Sequence, residues 1–388
     1  MADLGPRRTG GRARPGGPAA RRGRGDHPAG VSQARAGPAH RTVPARPDDV
    51  ADQPARPATP AIRVMTNAST AEEPLLRVRD LDVGYRGPFG PVPAVRGVCF
   101  DVAPGEILGL VGESGSGKSS VCTALMGLLP DGATRTGGIE FQGEDLAAMR
   151  ERDLRRVRGR RLALVPQQPM TSLAPTTPVL RQLRWYLGDR LDDVEVRETL
   201  IGIGLGPVLD RPRDLPGSFS GGQLQRVVIA IAVLAHEPAL LLADEPTTTL
   251  DATVQAQVLR LLLTLRDKLG LAMVYVSHDL AVVSTICDRV GVMYGGRLVE
   301  TAPVRELFAA PRHPYTRALI AAMPATTPAD RPLRAVEGSA EGANLLPGCP
   351  FAPRCPHVAD VCRERMPAAV RHGAADVRCH WVDREAGR

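Results

Sequence analysis

Two short stretches of this chain put phosphate chemistry within reach. The first is "GESGSGKS", Gly112–Ser119, which spaces glycine, lysine and serine as G-x-x-x-x-G-K-S. Glycines let the backbone N–H groups of a loop wrap phosphate oxygens without side-chain clashes. A lysine at the place of Lys118 reaches the β- and γ-phosphates of a nucleotide, and the hydroxyl of Ser119 can ligate Mg²⁺. The second is "ALLLADEP", where Asp244 and Glu245 stand side by side after an apolar run. One carboxylate there can hold Mg²⁺ (Asp244) and the other can polarise water (Glu245), the complement that hydrolysis at a phosphate loop requires. Each stretch alone has a plainer reading, as a glycine-rich turn or a strand-end acidic pair. Their occurrence together argues against both.

The surrounding pattern supplies the elements that must position these residues. "LLRVRDLDVGY" alternates as a strand, and "EILGLV" is a buried strand delivering the glycine loop. "SSVCTALMGLLP" has helical spacing, "GGIEFQGEDL" reads as strand and turn, and "RLALVPQQP" as an apolar strand entering a loop. "ALLLADEP" and "LAMVYVSHD" are continuous apolar runs, as expected of strands covered on both faces. "TVQAQVLRLLLTLRDKLG" is a helix capped by Gly270, and "DRVGVMYGGRLVETA" a hairpin turning at Gly295-Gly296. Strands alternating with helices predict an α/β domain with a largely parallel sheet. The stretch 173–215 lacks strand patterning and predicts an inserted helical subdomain, within about 170–225.

Composition bounds the rest. The 388 residues are 43% hydrophobic but only 3% aromatic, so aliphatic packing must carry the core. The longest apolar run, "VVIAIAVLA", is far short of the ~20 residues that span a bilayer. No secretory signal pattern opens the chain, which predicts a cytosolic protein and makes disulfides the weakest use of its cysteines. A net charge of +7 suggests nucleic acid until it is located. Residues 1–64 hold 12 Arg, no Lys and 5 Asp, while the remainder balances 37 basic against 37 acidic residues. The excess is a property of an Arg/Pro/Gly/Ala-rich segment without an aromatic residue, too poor in apolar surface to offset its ordering entropy. It reads as a disordered leader over 1–70, or as an over-long start with translation beginning at Met65. No nucleic-acid partner is expected.

A third stretch, "FSGGQLQR", Phe219–Arg226, opens a long apolar helix, whose first N–H groups point at an anion site. With it, the chain resembles the ATP-binding subunits of ABC transporters over about 76–324, and weakly beyond. The resemblance implies a P-loop ATPase with ATP as substrate and Mg²⁺ as cofactor, built as a nucleotide-binding domain over 75–310. Gly112, Glu113, Ser114, Gly115, Ser116, Gly117, Lys118, Ser119 and Ser120 would hold the phosphates, and Tyr85 would match the aromatic that stacks on adenine. Gln167 matches the glutamine that contacts Mg²⁺ and water and senses membrane subunits, better than its neighbour Gln168. Glu245 matches the catalytic base, His278 the switch histidine, and Asp251 the aspartate of the D-loop. Ser220, Gly221, Gly222 and Gln223 match the signature, which completes the site of a partner subunit. The implied partners are a second ATPase, two transmembrane permeases and an extracytoplasmic substrate-binding protein, with this chain peripheral at the cytoplasmic face of the membrane. A non-transport ABC ATPase is the rival class. Such chains carry two motif sets or long coiled-coil insertions, and this one carries neither.

"VGESGSGKSS", "QQPMTSLAP", "DEPTTTLDATVQAQVL" and "HPYTRALIAAMP" are similar to the oligopeptide/dipeptide/nickel importer branch, and the first half to its D-type ATPase. Peptides are then the expected cargo, ahead of nickel or a drug-like solute. Departures from the branch stand at Ala174, Val179-Leu180, Gln223-Leu224 and Thr249. Those near 174–184 bear on the permease partner rather than on the ATPase chemistry.

The extension over 311–388 carries Cys349, Cys355, Cys362 and Cys379, separated by 5, 6 and 16 residues. That is not the C-x₂-C pairing of zinc ribbons. Four thiolates in an irregular, proline-rich segment suit an iron–sulfur cluster, and the branch resemblance implies [4Fe–4S]. Zinc and unligated thiols are the alternatives. Cys99, Cys122 and Cys287 are read as buried packing residues.

Overall fold

Period-two alternation of buried and exposed residues makes Leu76–Gly87 a strand, β1. In the computed structural model, which describes residues 73–88, 90–248, 250–323 and 336–387, β1 pairs antiparallel with β2 (Gly90–Val102) and β4 (Thr134–Phe141), and β5 (Glu144–Asp145) completes that sheet. The leader over 1–70, with Met65, and Thr249 lie outside the described residues.

The second sheet has eight strands, in the order β11 (Val370–His372), β12 (Ala375–Val377), β10 (Arg297–Pro303), β9 (Arg289–Tyr294), β3 (Ile107–Val111), β8 (Ala272–Ser277), β7 (Leu240–Asp244) and β6 (Leu162–Val165). Its parallel part is β6, β7, β8, β3 and β9. These strands are apolar throughout because both faces are covered. Ile107 and Val111 of β3 enter one hydrophobic core while Leu108 and Leu110 enter the other, and Leu241 and Leu242 of β7 divide the same way. β10 (Arg297–Pro303) folds back antiparallel on β9 through the predicted Gly295-Gly296 turn. Helix α1 (Lys118–Leu125) follows the glycine loop, and α2 (Glu151–Val157) precedes β6.

Between β6 and β7 lie α3 (Val179–Leu187), α4 (Val194–Gly202), α5 (Gly206–Asp210) and α6 (Gly221–Leu234), the predicted helical insertion. Ala174, one of the departures noted above, sits where buried Gln182 pins the backbone. The Gln182 side chain accepts from Ala174 N (2.8 Å) and donates to Ala174 O (2.9 Å) and Thr177 O (2.8 Å). Helix α7 (Ala252–Leu269) ends at Gly270 in the left-handed conformation, and α8 (Leu280–Ile286) follows β8. Cys122 and Cys287 are buried as expected. Cys99 is only half-buried, because its strand faces Asp80, whose backbone N–H donates to the Cys99 thiol sulfur at 3.1 Å.

After β10 come α9 (Val304–Ala309), α10 (Pro314–Ala321), α11 (Asp360–Glu364), the hairpin β11 (Val370–His372) and β12 (Ala375–Val377), and α12 (His380–Glu385). The extension is irregular around its cysteines, but its hairpin continues the main sheet, β12 pairing with β10. Phe351, Cys349, Cys362, Val377 and Cys379 belong to the core that also contains β3 and β8 residues. The extension therefore has no core of its own among the described residues.

"HPY" gains a physical reading here. His313 is the N-cap of α10, its Nδ1 accepting from Tyr315 N at 3.1 Å, and Pro314 fills the first turn, where its missing N–H costs nothing. Burial drives the His313 pKa down to about 3. A base depressed in the folded state binds its proton only on unfolding. Below the ordinary pKa near 6.5, stability should therefore fall by about 1.4 kcal/mol per pH unit, down to the folded value. The neighbouring Glu300 carboxyl, raised by burial, pulls the opposite way nearer its own range. His313→Asn keeps a capping side chain and removes only the histidine's part. Denaturant titrations at pH 7.5, 6 and 5 should show a flatter pH dependence for it than for the wild type. An unchanged slope would contradict the assignment.

Candidate functional site

The end of β3 aims the glycine loop across the top of the sheet. Gly112 and Gly117 have φ of 154° and 100°, and a Cβ on Gly117 would come within 2.3 Å of Ala94 O. A Cβ on Gly112 would stand 2.1 Å from Met293 O, so the loop can lie against β9 at Gly112 and against β2 at Gly117 only because those positions carry no side chain. Lys118, the first residue of α1, is buried. Its ammonium donates to Gly112 O (2.9 Å), Glu113 O (3.0 Å) and Ser116 Oγ (3.4 Å). Burial lowers the Lys118 pKa, against the opposing charges of Glu245, Asp244 and Glu113.

Parallel pairing with β8 carries Asp244, the last residue of β7, to the loop. Ser119 Oγ donates to Asp244 Oδ1 at 2.9 Å. Burial raises the Asp244 pKa, the Ser119 bond counters it, and the Glu245 charge adds to the rise. Hydroxyl, carboxylate and the amide of nearby Gln167 form an all-oxygen donor set, which fits a hard cation such as Mg²⁺.

At Glu245 the chain leaves the strand with φ of 47°. A left-handed non-glycine residue costs on the order of 1–3 kcal/mol, and here it swings the carboxylate into a ring of polar groups. Glu245 Oε2 accepts from Gln167 Nε2 (3.1 Å) and Thr248 Oγ1 (2.9 Å), and meets His278 Nδ1 at 3.1 Å. The predicted Gln167, Glu245 and His278, from three separate loops, thus meet at one carboxylate oxygen. They border a cleft of about 680 Å³ together with Ser114, Gly115, Gly117, Lys118, Ser119 and Ser120.

The remaining predicted residues lie differently. Tyr85 is half-buried and its hydroxyl donates to Ser120 Oγ at 3.1 Å, while its cross-strand partner Val92 lines the cleft. Gln168 is exposed, and its backbone carbonyl accepts from Thr171 Oγ1 at 2.7 Å. Ser220 and Gln223 form a capping box at the start of α6, with Ser220 N donating to Gln223 Oε1 at 2.9 Å. Gly222 is required by packing, since a Cβ there would stand 2.1 Å from Val254 Cγ1 of α7. Ser220, Gly221, Gly222 and Gln223 do not line this chain's cleft. Asp251 caps α7, accepting from Thr253 N and Val254 N, both at 3.0 Å.

Besides Val92, sequence reasoning missed three contributors. Thr248 was signalled only by the hydroxyl run of "DEPTTTLD". Ala94 of β2 had no chemical signal. Asn344, from the extension, also lines the cleft, and its Nδ2 donates to Pro93 O at 2.7 Å.

Comparison with known proteins agrees with this geometry. Residues 95–248 match the family described as ABC transporter, and residues 299–362 the one described as oligopeptide/dipeptide transporter, C-terminal region. A probable peptide ABC transporter ATP-binding protein, y4tR, of Sinorhizobium fredii is 45% identical over 308 residues, covering 76% of this chain and 90% of its own. The oligopeptide transport ATP-binding protein OppD of Mycobacterium tuberculosis is 41% identical over 330 residues, 80% of this chain, which spans about half (52%) of that protein. A solved dimer described as a post-hydrolysis state of the ATP-binding cassette MJ0796 with ADP and Pi gives a TM-score of 0.52. It is 26% identical and covers 59% of this chain and 99% of that one. A phosphate loop, a strand-end Asp-Glu pair and a helix-opening Ser-Gly-Gly-Gln on this fold leave one conclusion: the chain belongs to the ABC transporter family, as an ATP-binding subunit that hydrolyses ATP.

Proposed function

We propose that this chain drives a membrane importer of peptides or related small solutes, with Glu245 as the base of its ATPase site. The observation that carries the reading is the convergence of Gln167, Thr248 and His278 on Glu245 Oε2, beside an Asp244 bonded to Ser119 of the phosphate loop. Gly112–Ser120 and Lys118 would bind the phosphates, and Tyr85 and Val92 would border the adenine. Ser119, Asp244 and Gln167 would hold Mg²⁺, which when bound neutralises charge on the phosphate oxygens. Glu245 would take the proton of the attacking water while Gln167 and His278 orient it and the γ-phosphate. Positioning and electrostatics, rather than covalent chemistry, supply the rate.

Peptide cargo is supported by the named relatives and by the oligopeptide/dipeptide transporter C-terminal region. Among the described residues no helix is long and apolar enough to cross a membrane, so the transport path must be supplied by permease partners. Met170, Trp185 and Tyr186 of the helical insertion (170–225) are exposed apolar side chains, which would suit docking them. That docking would hold the chain at the cytoplasmic face. Ser220, Gly221, Gly222 and Gln223, turned away from their own cleft, would close a second ATPase subunit's site, with Asp251 at the seam. An extracytoplasmic binding protein would deliver the cargo.

We also retain a [4Fe–4S] cluster on Cys349, Cys355, Cys362 and Cys379 of the extension (311–388). The four thiols fit in kind and number and share one core, and Cys349 N donates to Cys362 O at 2.8 Å. Burial pushes the Cys349 thiol up to about 12, and Cys379, Cys355 and Cys362 add to the rise. Thiolates there would need a bound cation. Among the described residues no three His, Cys, Asp or Glu side chains are gathered round a metal position, so the segment would tighten on binding. No step of hydrolysis is routed through it.

Glu245→Gln, assembled with its partners, should bind ATP with near wild-type affinity and lose at least about 100-fold in turnover, a typical contribution of a positioned base. Turnover at the wild-type rate would remove Glu245 from that role. Lys118→Ala should lose nucleotide binding in a fluorescent-ATP titration, and unaltered affinity would count against the loop assignment. Protein purified without oxygen should be brown, with about four irons per chain. A colourless, iron-free preparation would exclude the cluster.

A further inference from the structure

The extension reaches the phosphate loop directly. Arg354, immediately before Cys355, points a guanidinium at Glu113, the second residue of the loop. Its Nη1 donates to Glu113 Oε1 (3.1 Å) and Oε2 (2.9 Å) and to Tyr294 Oη (2.9 Å). Its Nε and Nη2 are taken by Glu337 O (2.7 Å) and Val336 O (2.8 Å). The side chain is only 6% exposed and lies over the rings of Tyr294 and Phe351. A planar, fully engaged, stacked guanidinium is held in one geometry, which is where arginine differs from lysine. The backbone of the same loop residue is tied to the "HPY" tyrosine, Glu113 N donating to Tyr315 Oη at 3.0 Å.

The charge balance says why such a grip matters. The site must take a polyanion, yet it contains the carboxylates of Glu113, Asp244 and Glu245 around a single lysine, Lys118. Mg²⁺ can serve the strand-end pair. Glu113 lies on the other side of the loop, toward Tyr294 and the extension. Left unpaired, its charge would repel bound phosphates through a partly buried, low-dielectric region.

We propose that Arg354 is a positioning residue of the ATP site: it neutralises Glu113 and fixes the start of the phosphate loop, so that the extension sets the affinity for nucleotide. The extension is then a working wall of the ATPase as well as a mark of its branch. Asn344, which lines the cleft, and Arg96, whose Nη1 donates to Asn344 O (3.0 Å) and Leu346 O (2.7 Å), fasten the same wall to β2.

The test measures KM for ATP and kcat in the assembled complex, with full-length chains. Arg354→Met should raise KM about ten-fold, the scale of one unscreened like charge near the ligand, while kcat stays within about three-fold. Adding Glu113→Gln to it should bring KM most of the way back, because the repelling charge is gone. Two neighbours that act as a unit give this non-additive pattern. A purely architectural Arg354 would lower the melting temperature without moving KM, or would leave the double variant as weak as the single; either result overturns the proposal. If Arg354→Met does not yield folded protein, Arg354→Lys puts the same question. Its KM should rise about three-fold, since one charge remains without the fork, and fall again with Glu113→Gln. A KM indifferent to both changes would refute the assignment.

Discussion

A loop that binds phosphate through its N–H groups can spend few of those groups on its own anchoring. Much around Gly112–Ser119 follows from that constraint. The loop is held mainly by its carbonyls and flanks: Lys118 returns to Gly112 O and Glu113 O, Gly296 N donates to Ser116 O at 3.1 Å, and among its N–H groups Glu113 N is given up to Tyr315 Oη and Ser116 N to Glu113 O. The anchors come from β2, the β9–β10 turn and the extension, segments up to about 240 residues away in sequence. Such a site exists only when these distant segments are assembled around it.

The Glu245 edge of the cleft is also built by distant segments. Glu245 must be strained out of the strand to face the loop, and its carboxylate is surrounded by three polar groups on one oxygen. Burial raises Asp244 and lowers Lys118, so both charged forms are disfavoured until ligands arrive. The site is preorganised in geometry and poised in charge, the arrangement that makes electrostatic stabilisation of a phosphoryl transition state effective.

Much of this was legible in the sequence. Continuous apolar runs announced β7 and β8 because both faces of those strands are covered, and Gly270 marked a helix end by its own chemistry; that Ser220 and Asp251 also cap helices is seen only in the structure. Motif spacing placed Gln167 and His278 in the cleft, although nothing local distinguishes either from a surface loop residue. What stayed hidden depends on contacts between distant segments. Arg354 reads as one more arginine in a proline-rich tail, and its meaning comes from Glu113, 241 residues away. Asn344 and Tyr315 are likewise ordinary until the extension is folded against the loop. The union of β12 with β10 could not be read from three-residue strands, which carry too little pattern to register.

The central claim is that the extension and the phosphate loop form one nucleotide-binding unit. The most direct measurement is amide hydrogen exchange on the full-length Glu245→Gln chain with and without Mg-ATP. The account predicts that ATP slows exchange across residues 339–346 and 349–355 of the extension as well as across 112–119. Protection confined to the loop, with the extension exchanging as it does without nucleotide, would contradict it.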